Sequence, residues 1–240
     1  MARLPRVHLP DLPAHVVIRG NDRKAIFRSQ GDRIFFHRCL LEASRRYRLA
    51  IHSYVLMTNH VHLVATGENA LSLSRSVQMV GRRYVSYFNY LYGRTGSLWE
   101  GRFRSSPIQC DRYLLACHRY VEMNPVRAGI VSAPEEFLWS SHGALAFGKT
   151  DDLITPHPIY LGLGLDGEIR FQRYRQLFDK RLSPGTLGRI REALNAGLAL
   201  GSRQFCRQLE LQSGRRVTTA KIGRPPGRKS NSENLALESI

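Results

Sequence analysis

Acidic residues are scarce in this 240-residue chain: 19 Asp and Glu stand against 36 Lys and Arg, a formal net charge of +17. Cysteine is scarce as well. Cys39, Cys110, Cys117 and Cys206 show no Cys-x-x-Cys spacing and fall mostly inside apolar stretches, which favours buried free thiols over disulfides or zinc ligands. Long apolar runs are missing. No uninterrupted segment approaches the roughly 20 residues of a membrane helix. Met1-Ala2-Arg3-Leu4-Pro5-Arg6 leads into no apolar signal core, so the expectation is a soluble, cytoplasmic protein with no membrane partner.

What is abundant is arginine, which supplies most of the positive charge and is spread through both halves of the chain. Its planar fork matches phosphate oxygens and guanine edges. An anionic membrane would pair more naturally with a basic amphipathic helix than with arginines dispersed through a folded domain. Nucleic acid is therefore the expected partner, with a merely soluble basic surface as the plain alternative. Hydrophobic residues at 42% suffice for the core of one large or two small domains.

Residues 14–20 read as a first strand stopped by Gly20-Asn21-Asp22, and a helix is expected from about Gln30 to Tyr47, with Ile34, Phe35, Arg38, Leu41 and Ala43 to Ser44 on its periodic stripe. Strands at about 50–57 and 60–66 flank a tight Thr58-Asn59 connection and should pair antiparallel. A long helix over 71–91 carries Leu73, Val77, Val80, Tyr84, Tyr87 or Phe88, and Leu91 on its buried side, with Arg75, Arg82 and Arg83 off it. A fourth strand is expected at about Ser106 to Cys110. The next helix starts from Asp111 as N-cap and runs to about Asn124, where Pro125 stops it. The order strand, helix, strand, strand, helix, strand, helix predicts an α+β fold: a ferredoxin-like antiparallel sheet with helices on one face.

Beyond Gly129 the pattern changes. Gly162-Leu163-Gly164-Leu165-Asp166-Gly167 spells the dinucleotide-binding glycine motif but lacks the strand and crossover helix that would make it one. Two helices at about 184–200 and 202–212 resemble a helix-turn-helix pair in outline. A Gly-Arg-Pro segment with Lys221, Arg224, Arg228 and Lys229 follows, too polar and Pro-rich to pack, whose arginines suit a narrow minor groove. The division expected is a catalytic domain (1–147), a helical DNA-binding extension (148–213) and a basic, disordered tail (214–240).

The chemistry centres on two places. In Met57-Thr58-Asn59-His60-Val61-His62-Leu63, alternate residues of a strand share a face, so His60 and His62 project together and can hold one divalent cation. On the helix after Asp111, Tyr120 and Asn124 stand one turn apart. A phenol can attack an electrophile polarised by the metal, and the Asn124 amide oxygen can complete a mixed nitrogen and oxygen site suited to Mg²⁺ or Mn²⁺. The plain reading of the same residues is a hydrogen-bonded core histidine and a packing phenol. Leu98-Trp99-Glu100-Gly101-Arg102-Phe103-Arg104 interleaves aromatics with arginines, as base stacking combined with phosphate binding requires.

Tyr54-Val55-Leu56-Met57-Thr58-Asn59-His60-Val61-His62-Leu63, the Trp99 segment and Tyr120-Val121-Glu122-Met123-Asn124-Pro125-Val126-Arg127-Ala128-Gly129 together resemble the REP-associated tyrosine transposases, of the single-tyrosine HUH family. The resemblance implies a ferredoxin-like catalytic domain in which His60 and His62 bind metal and Tyr120 attacks a phosphodiester of single-stranded or hairpin DNA. It would leave a 5′-phosphotyrosine and a free 3′-OH that can later rejoin strands. The insertion-sequence relatives usually carry glutamine where this chain has the shorter Asn124. DNA contacts are expected from Arg82, Arg83, Trp99, Arg102, Arg104, Arg215, Arg216, Arg224 and Arg228, in a monomer or homodimer. Two other readings compete: a non-catalytic hairpin-binding protein, and a metal-dependent phosphodiesterase without a covalent intermediate.

Overall fold

Apolar, β-branched runs become strands in the computed structural model, which describes residues 6–219. The elements in chain order are β1 (Ala14–Arg19), α1 (Gln30–Arg46), β2 (Leu49–Met57), β3 (His60–Gly67), α2 (Ser72–Leu91), β4 (Arg104–Pro107), α3 (Cys110–Glu122) and α4 (Asn124–Arg127). There follow α5 (His142–Phe147), α6 (Pro158–Leu161), α7 (Gly167–Gln176), α8 (Pro184–Ala196) and α9 (Arg203–Ser213). The sheet runs β2-β3-β1-β4 with every pair antiparallel. This is the connectivity of a split βαβ unit.

The strands are apolar on both sides, so the sheet needs cover on both, and this overturns the expectation of helices on one face. Val16, Ile18, Leu56, Val61 and Leu63 pack with Phe36, Leu40, Val80 and Tyr84 of α1 and α2. Val55, Met57 and Val64 share a second cluster with Leu114, Cys117, Tyr120 and Val121 of α3 and with Ile190 and Ala193 of α8. The α2 stripe is the expected one save for its last residue, whereas the α1 stripe agrees at Ala43 and Ser44 but is shifted before them. In α1 the buried residues are Asp32, Phe36, Cys39, Leu40, Ala43 and Ser44 while Ile34 is exposed, and Leu91 at the end of α2 is exposed too.

β4 lies two residues earlier than expected because its partner β1 begins at Ala14, opposite Pro107. Past that point the backbone pairs elsewhere: the Gln109 N–H donates to the Leu200 carbonyl, whose own N–H donates to Pro107. Helix α3 consequently starts at Cys110 with Gln109 as N-cap, and Asp111 falls inside the first turn, where its charge complements the helix dipole. The four cysteines are free thiols, three of them buried.

The C-terminal helices do not form one separate extension. Leu145 and Ala146 of α5 cluster with Tyr160 and Tyr174, so a boundary at residue 147 cuts a packed core. The two helices expected as a pair are divided between cores: α8 lies in the Tyr120 cluster, while Cys206 and Leu209 of α9 pack with Val7 and Val217. Residues 214–219 are not a loose tail either. Val217 is 1% exposed, its carbonyl accepts from Ala199, and Glu210 accepts from the Val217 and Thr218 N–H groups. No described helix is long and apolar enough to cross a membrane.

Candidate active site

Antiparallel pairing sets Val17 opposite His62 and Arg19 opposite His60, so β1 and β3 present their odd- and even-numbered residues, respectively, to the same face. On that face lie His15, His60 and His62. Helix α3 crosses it with Tyr113, Cys117 and Tyr120 turned inward at helical spacing. The Tyr120 ring stands 5.9 Å from the His62 ring and 5.5 Å from the His15 ring, centroid to centroid. His60 and His62 are 5.0 Å apart. The tyrosine thus faces the histidine pair of its own chain.

Tyr120 is 7% exposed, and its phenolic oxygen has no hydrogen-bond partner among the described residues. Arg127 closes over it from α4: the guanidinium lies 4.3 Å from the ring centre and donates to the Tyr120 carbonyl at 2.6 Å. Burial is the main influence on the imidazoles. It lowers the pKa of His15 to about 3, with Arg127 adding to the effect, and that of His60 to about 4, with Arg19 adding. His62 is held well below its ordinary value by burial and then by the neighbouring His15 and His60 rings and Arg127 and Arg19. All three rings are neutral at pH 7, the form that ligates metal.

Asn124 is not on the tyrosine's helix. Helix α3 ends at Glu122, and Asn124 opens α4 with Pro125 behind it. Its Nδ2 donates to the Tyr120 and Val121 carbonyls at 3.0 and 3.1 Å, which satisfies two carbonyls at the α3 terminus and leaves Oδ1 as the free end of the amide. A basic cavity of about 320 Å³ adjoins this turn, lined by Arg119, Arg127, Lys180 and Arg181.

The arginine and aromatic segment lies elsewhere. Arg82, Trp99 and Arg102 line a cavity of about 850 Å³ together with Arg75, Phe103 and Ile18, and Ile18 belongs to the α1 and α2 face of the sheet. Trp99 stacks on Tyr84 at 6.0 Å. Arg83 points away from that cavity and pairs with Glu42 of α1. Arg104 donates to Asn195 at the end of α8, Arg215 donates to the Arg6 carbonyl, and Arg216 is exposed. Arg224 and Arg228 lie outside the described residues. The sheet therefore separates Trp99 and Arg82 from Tyr120, whereas Arg102, at the sheet's edge, also lines a small cavity with Arg104 and Asn195 of α8.

Sequence reasoning missed His15 and Arg127. His15 is 1% exposed, and its Nε2 lies 2.8 Å from His62 Nδ1. Arg127 follows seven residues after Tyr120, but the break between α3 and α4 lies between them, so helical spacing alone does not place it over the ring.

The profile of a family described as "Transposase IS200 like" matches residues 8–124. The match spans just under half of the chain, and over those residues the chain is similar to that family. They include His15, His60, His62, Tyr120 and Asn124, while Arg127 lies just beyond them. Among solved structures, a REP-associated tyrosine transposase bound to a REP hairpin is similar over 65% of this chain and 93% of its own, at 19% identity and a TM-score of 0.51, a likeness of fold. A Deinococcus radiodurans protein described as a candidate transposase matches 51% of this chain and 96% of its own, at 18% identity and a TM-score of 0.35. No curated protein matches the chain.

Proposed function

We propose that this chain is a transposase that cleaves and rejoins single-stranded DNA beside a hairpin, with Tyr120 as nucleophile and a divalent cation, Mg²⁺ or Mn²⁺, on His60, His62 and Asn124. The observation that carries the reading is the Tyr120 ring set 5.9 Å from His62 on the face that holds both histidines. The donor set fits such a cation: two neutral imidazoles and one amide oxygen. Among the described residues no three of His, Cys, Asp and Glu close around one point, so amide, water or phosphate oxygens must complete the shell.

The cation, when bound, supplies charge neutralisation at the non-bridging phosphate oxygens. The Tyr120 oxygen bonds to phosphorus and its proton passes to solvent; the bond to the 3′ oxygen breaks, and that oxygen takes a proton as the free 3′-OH. The 5′ phosphate stays esterified to Tyr120. Attack by a 3′-OH reverses the step and returns the phenol, so joining needs no external energy source. A phenol of ordinary pKa near 10 is a weak nucleophile at neutral pH. The Arg127 guanidinium, 4.3 Å from the Tyr120 ring centre, brings a positive charge to where the phosphate must sit for attack.

The strong positive charge, +17 over the chain, suits the polyanion, and the similar REP-associated transposase is itself bound to a hairpin. One protomer holds both tyrosine and histidines, so a monomer is sufficient for chemistry. The test is denaturing electrophoresis of labelled hairpin-bearing single strands with Mg²⁺ or Mn²⁺. Wild type should yield a protein-DNA adduct and Tyr120→Phe should yield neither adduct nor cut strand while still binding DNA. Cleavage without an adduct would assign the chain to the water-using phosphodiesterases, and binding without cleavage would make it a hairpin-binding module.

A further inference from the structure

A histidine ligates metal through a bare ring nitrogen, so a two-histidine site works only if both rings keep their proton on the nitrogen facing away from the metal. The tautomer is set by what that second nitrogen touches. For His60 the surroundings admit one answer. Its Nδ1 lies 2.6 Å from Asn59 Oδ1, and Asn59 Nδ2 donates to the Arg23 carbonyl at 2.9 Å. A carbonyl can only accept, so the amide nitrogen must face Arg23 and the amide oxygen must face His60. An amide oxygen also only accepts. His60 therefore carries its proton on Nδ1 and leaves Nε2 bare.

The Arg23 carbonyl is itself held in place. Asp22 and Arg23 adopt left-handed backbone angles, φ 53° and 55°, an uncommon conformation for residues other than glycine. The Gly20 N–H donates to Asn59 and the Ile26 N–H to Thr58. The loop leaving β1 is thereby fastened to the β2–β3 turn and presents one acceptor to Asn59.

His62 differs. Its Nδ1 meets His15 Nε2 at 2.8 Å, nitrogen against nitrogen, and the remaining nitrogen of His15, Nδ1, is buried without a partner among the described residues. One proton lies between the rings, and either can own it. If His15 owns it, the neutral His62 ring is protonated on Nε2 and cannot bind metal there. If His62 owns it, Nε2 is bare and His15 keeps its own proton on the unpartnered Nδ1.

We propose that Asn59 and His15 are positioning residues for the metal site, each accepting an Nδ1–H so that His60 and His62 offer their Nε2 nitrogens to one cation. Asn59 fixes His60 before the cation arrives. The His15–His62 pair settles with the proton on His62 once a cation takes the Nε2 lone pair. This rests on the two-histidine metal reading above and assigns the outer shell that it lacks.

The experiment uses the full chain labelled with ¹⁵N histidine. Long-range proton–nitrogen spectra in metal-free buffer should show His60 protonated on Nδ1 and bare on Nε2; with Mg²⁺, His62 should show the same. Mn²⁺ affinity, read from the free-ion spin-resonance signal, should fall about 10- to 100-fold in Asn59→Ala and His15→Phe. Asn59→Asp and His15→Gln, which keep an acceptor, should recover most of it. Melting temperature and hairpin binding in EDTA screen out variants that fail to fold. A His60 protonated on Nε2, or Ala and Phe variants that bind Mn²⁺ as tightly as wild type, overturns the assignment. Wild type that takes up no Mn²⁺ while His60 shows the stated tautomer removes the metal reading instead.

Discussion

Glu122 is the best place to test how the Tyr120 helix is held. It is the last residue of α3, two beyond Tyr120, and is 0% exposed. Ser141 Oγ donates to one carboxylate oxygen at 2.5 Å, and His142 Nδ1 lies 2.8 Å from the other. Tyr174, whose phenol is pushed well above its ordinary pKa by burial and then by the Glu122 charge, faces the same carboxylate. Glu122→Ala removes both acceptors: the Ser141 hydroxyl keeps only its bonds with the Tyr54 backbone, and His142 Nδ1 is left buried without its partner. Breaking a buried pair this way costs about 3–5 kcal/mol. For a chain of this size that corresponds to a melting point lower by about 6–20 °C. Glu122→Gln keeps an acceptor for Ser141 and offers an N–H to His142, so its cost should stay near 1–2 kcal/mol. Urea denaturation at pH 7 reads both, with the slope checked for constancy so that the change is one of stability. An alanine variant within 1 kcal/mol of wild type, or a glutamine variant equally damaged, would refute the view that this carboxylate anchors α3.

The basic C-terminal segment should divide at residue 219. Removing 220–240, which carries Arg224 and Arg228, should flatten the plot of log affinity against log salt by about 0.7–0.9 for each DNA phosphate that those side chains neutralise; an unchanged slope means that the segment touches no DNA. Cutting after Ser213 should additionally unseat Val217 and lower stability by about 1.5–3 kcal/mol, read as a shifted urea midpoint. Acid should destabilise the fold early. His15 and His118 stay neutral down to a pKa of about 3 because they are buried, whereas the unfolded chain takes up protons from about pH 6.5. Stability should therefore fall as pH drops from 6.5 towards 3, by up to about 1.4 kcal/mol per pH unit for each such ring. A flat urea midpoint between pH 7 and 4.5 would contradict the burial of these imidazoles.

Much of the sheet was legible in the sequence because alternation and turn residues are local. The β2–β3 pair and the antiparallel order followed from Thr58-Asn59 and from the spacing of the apolar runs. The misreadings share a non-local cause. The end of β4 is decided by Leu200, some ninety residues away, which takes over the backbone of Gln109. The second helical layer required knowing that β2 and β3 are apolar on both faces because α3 and α8 cover them. In α1 the phase was misread because Asp32 is buried: it closes the capping box with Ser29 and accepts from Tyr87 and Tyr92. An acid in the core carries no hydrophobic signal.

The candidate site divides along the same line. His60 and His62 share a strand, and Tyr120 follows helical spacing, so each was visible from its own element. His15 could not be. In the sequence it is one of nine histidines, in a run whose valines and isoleucine fully account for a strand. Its place beside His62 depends on the β1–β3 register, which sets Val17 opposite His62 and His15 opposite Val64. The two histidines are thus diagonal neighbours, not direct ones, on a shared face, within reach for rings of this size. A slip of one residue in that register would turn His15 to the α1 and α2 side and leave His62 Nδ1 facing apolar side chains. The buried pair accordingly penalises the slipped register by leaving polar nitrogens unpartnered, and the contact that orients the candidate ligand also helps to fix the strand pairing that brings Tyr120 to it.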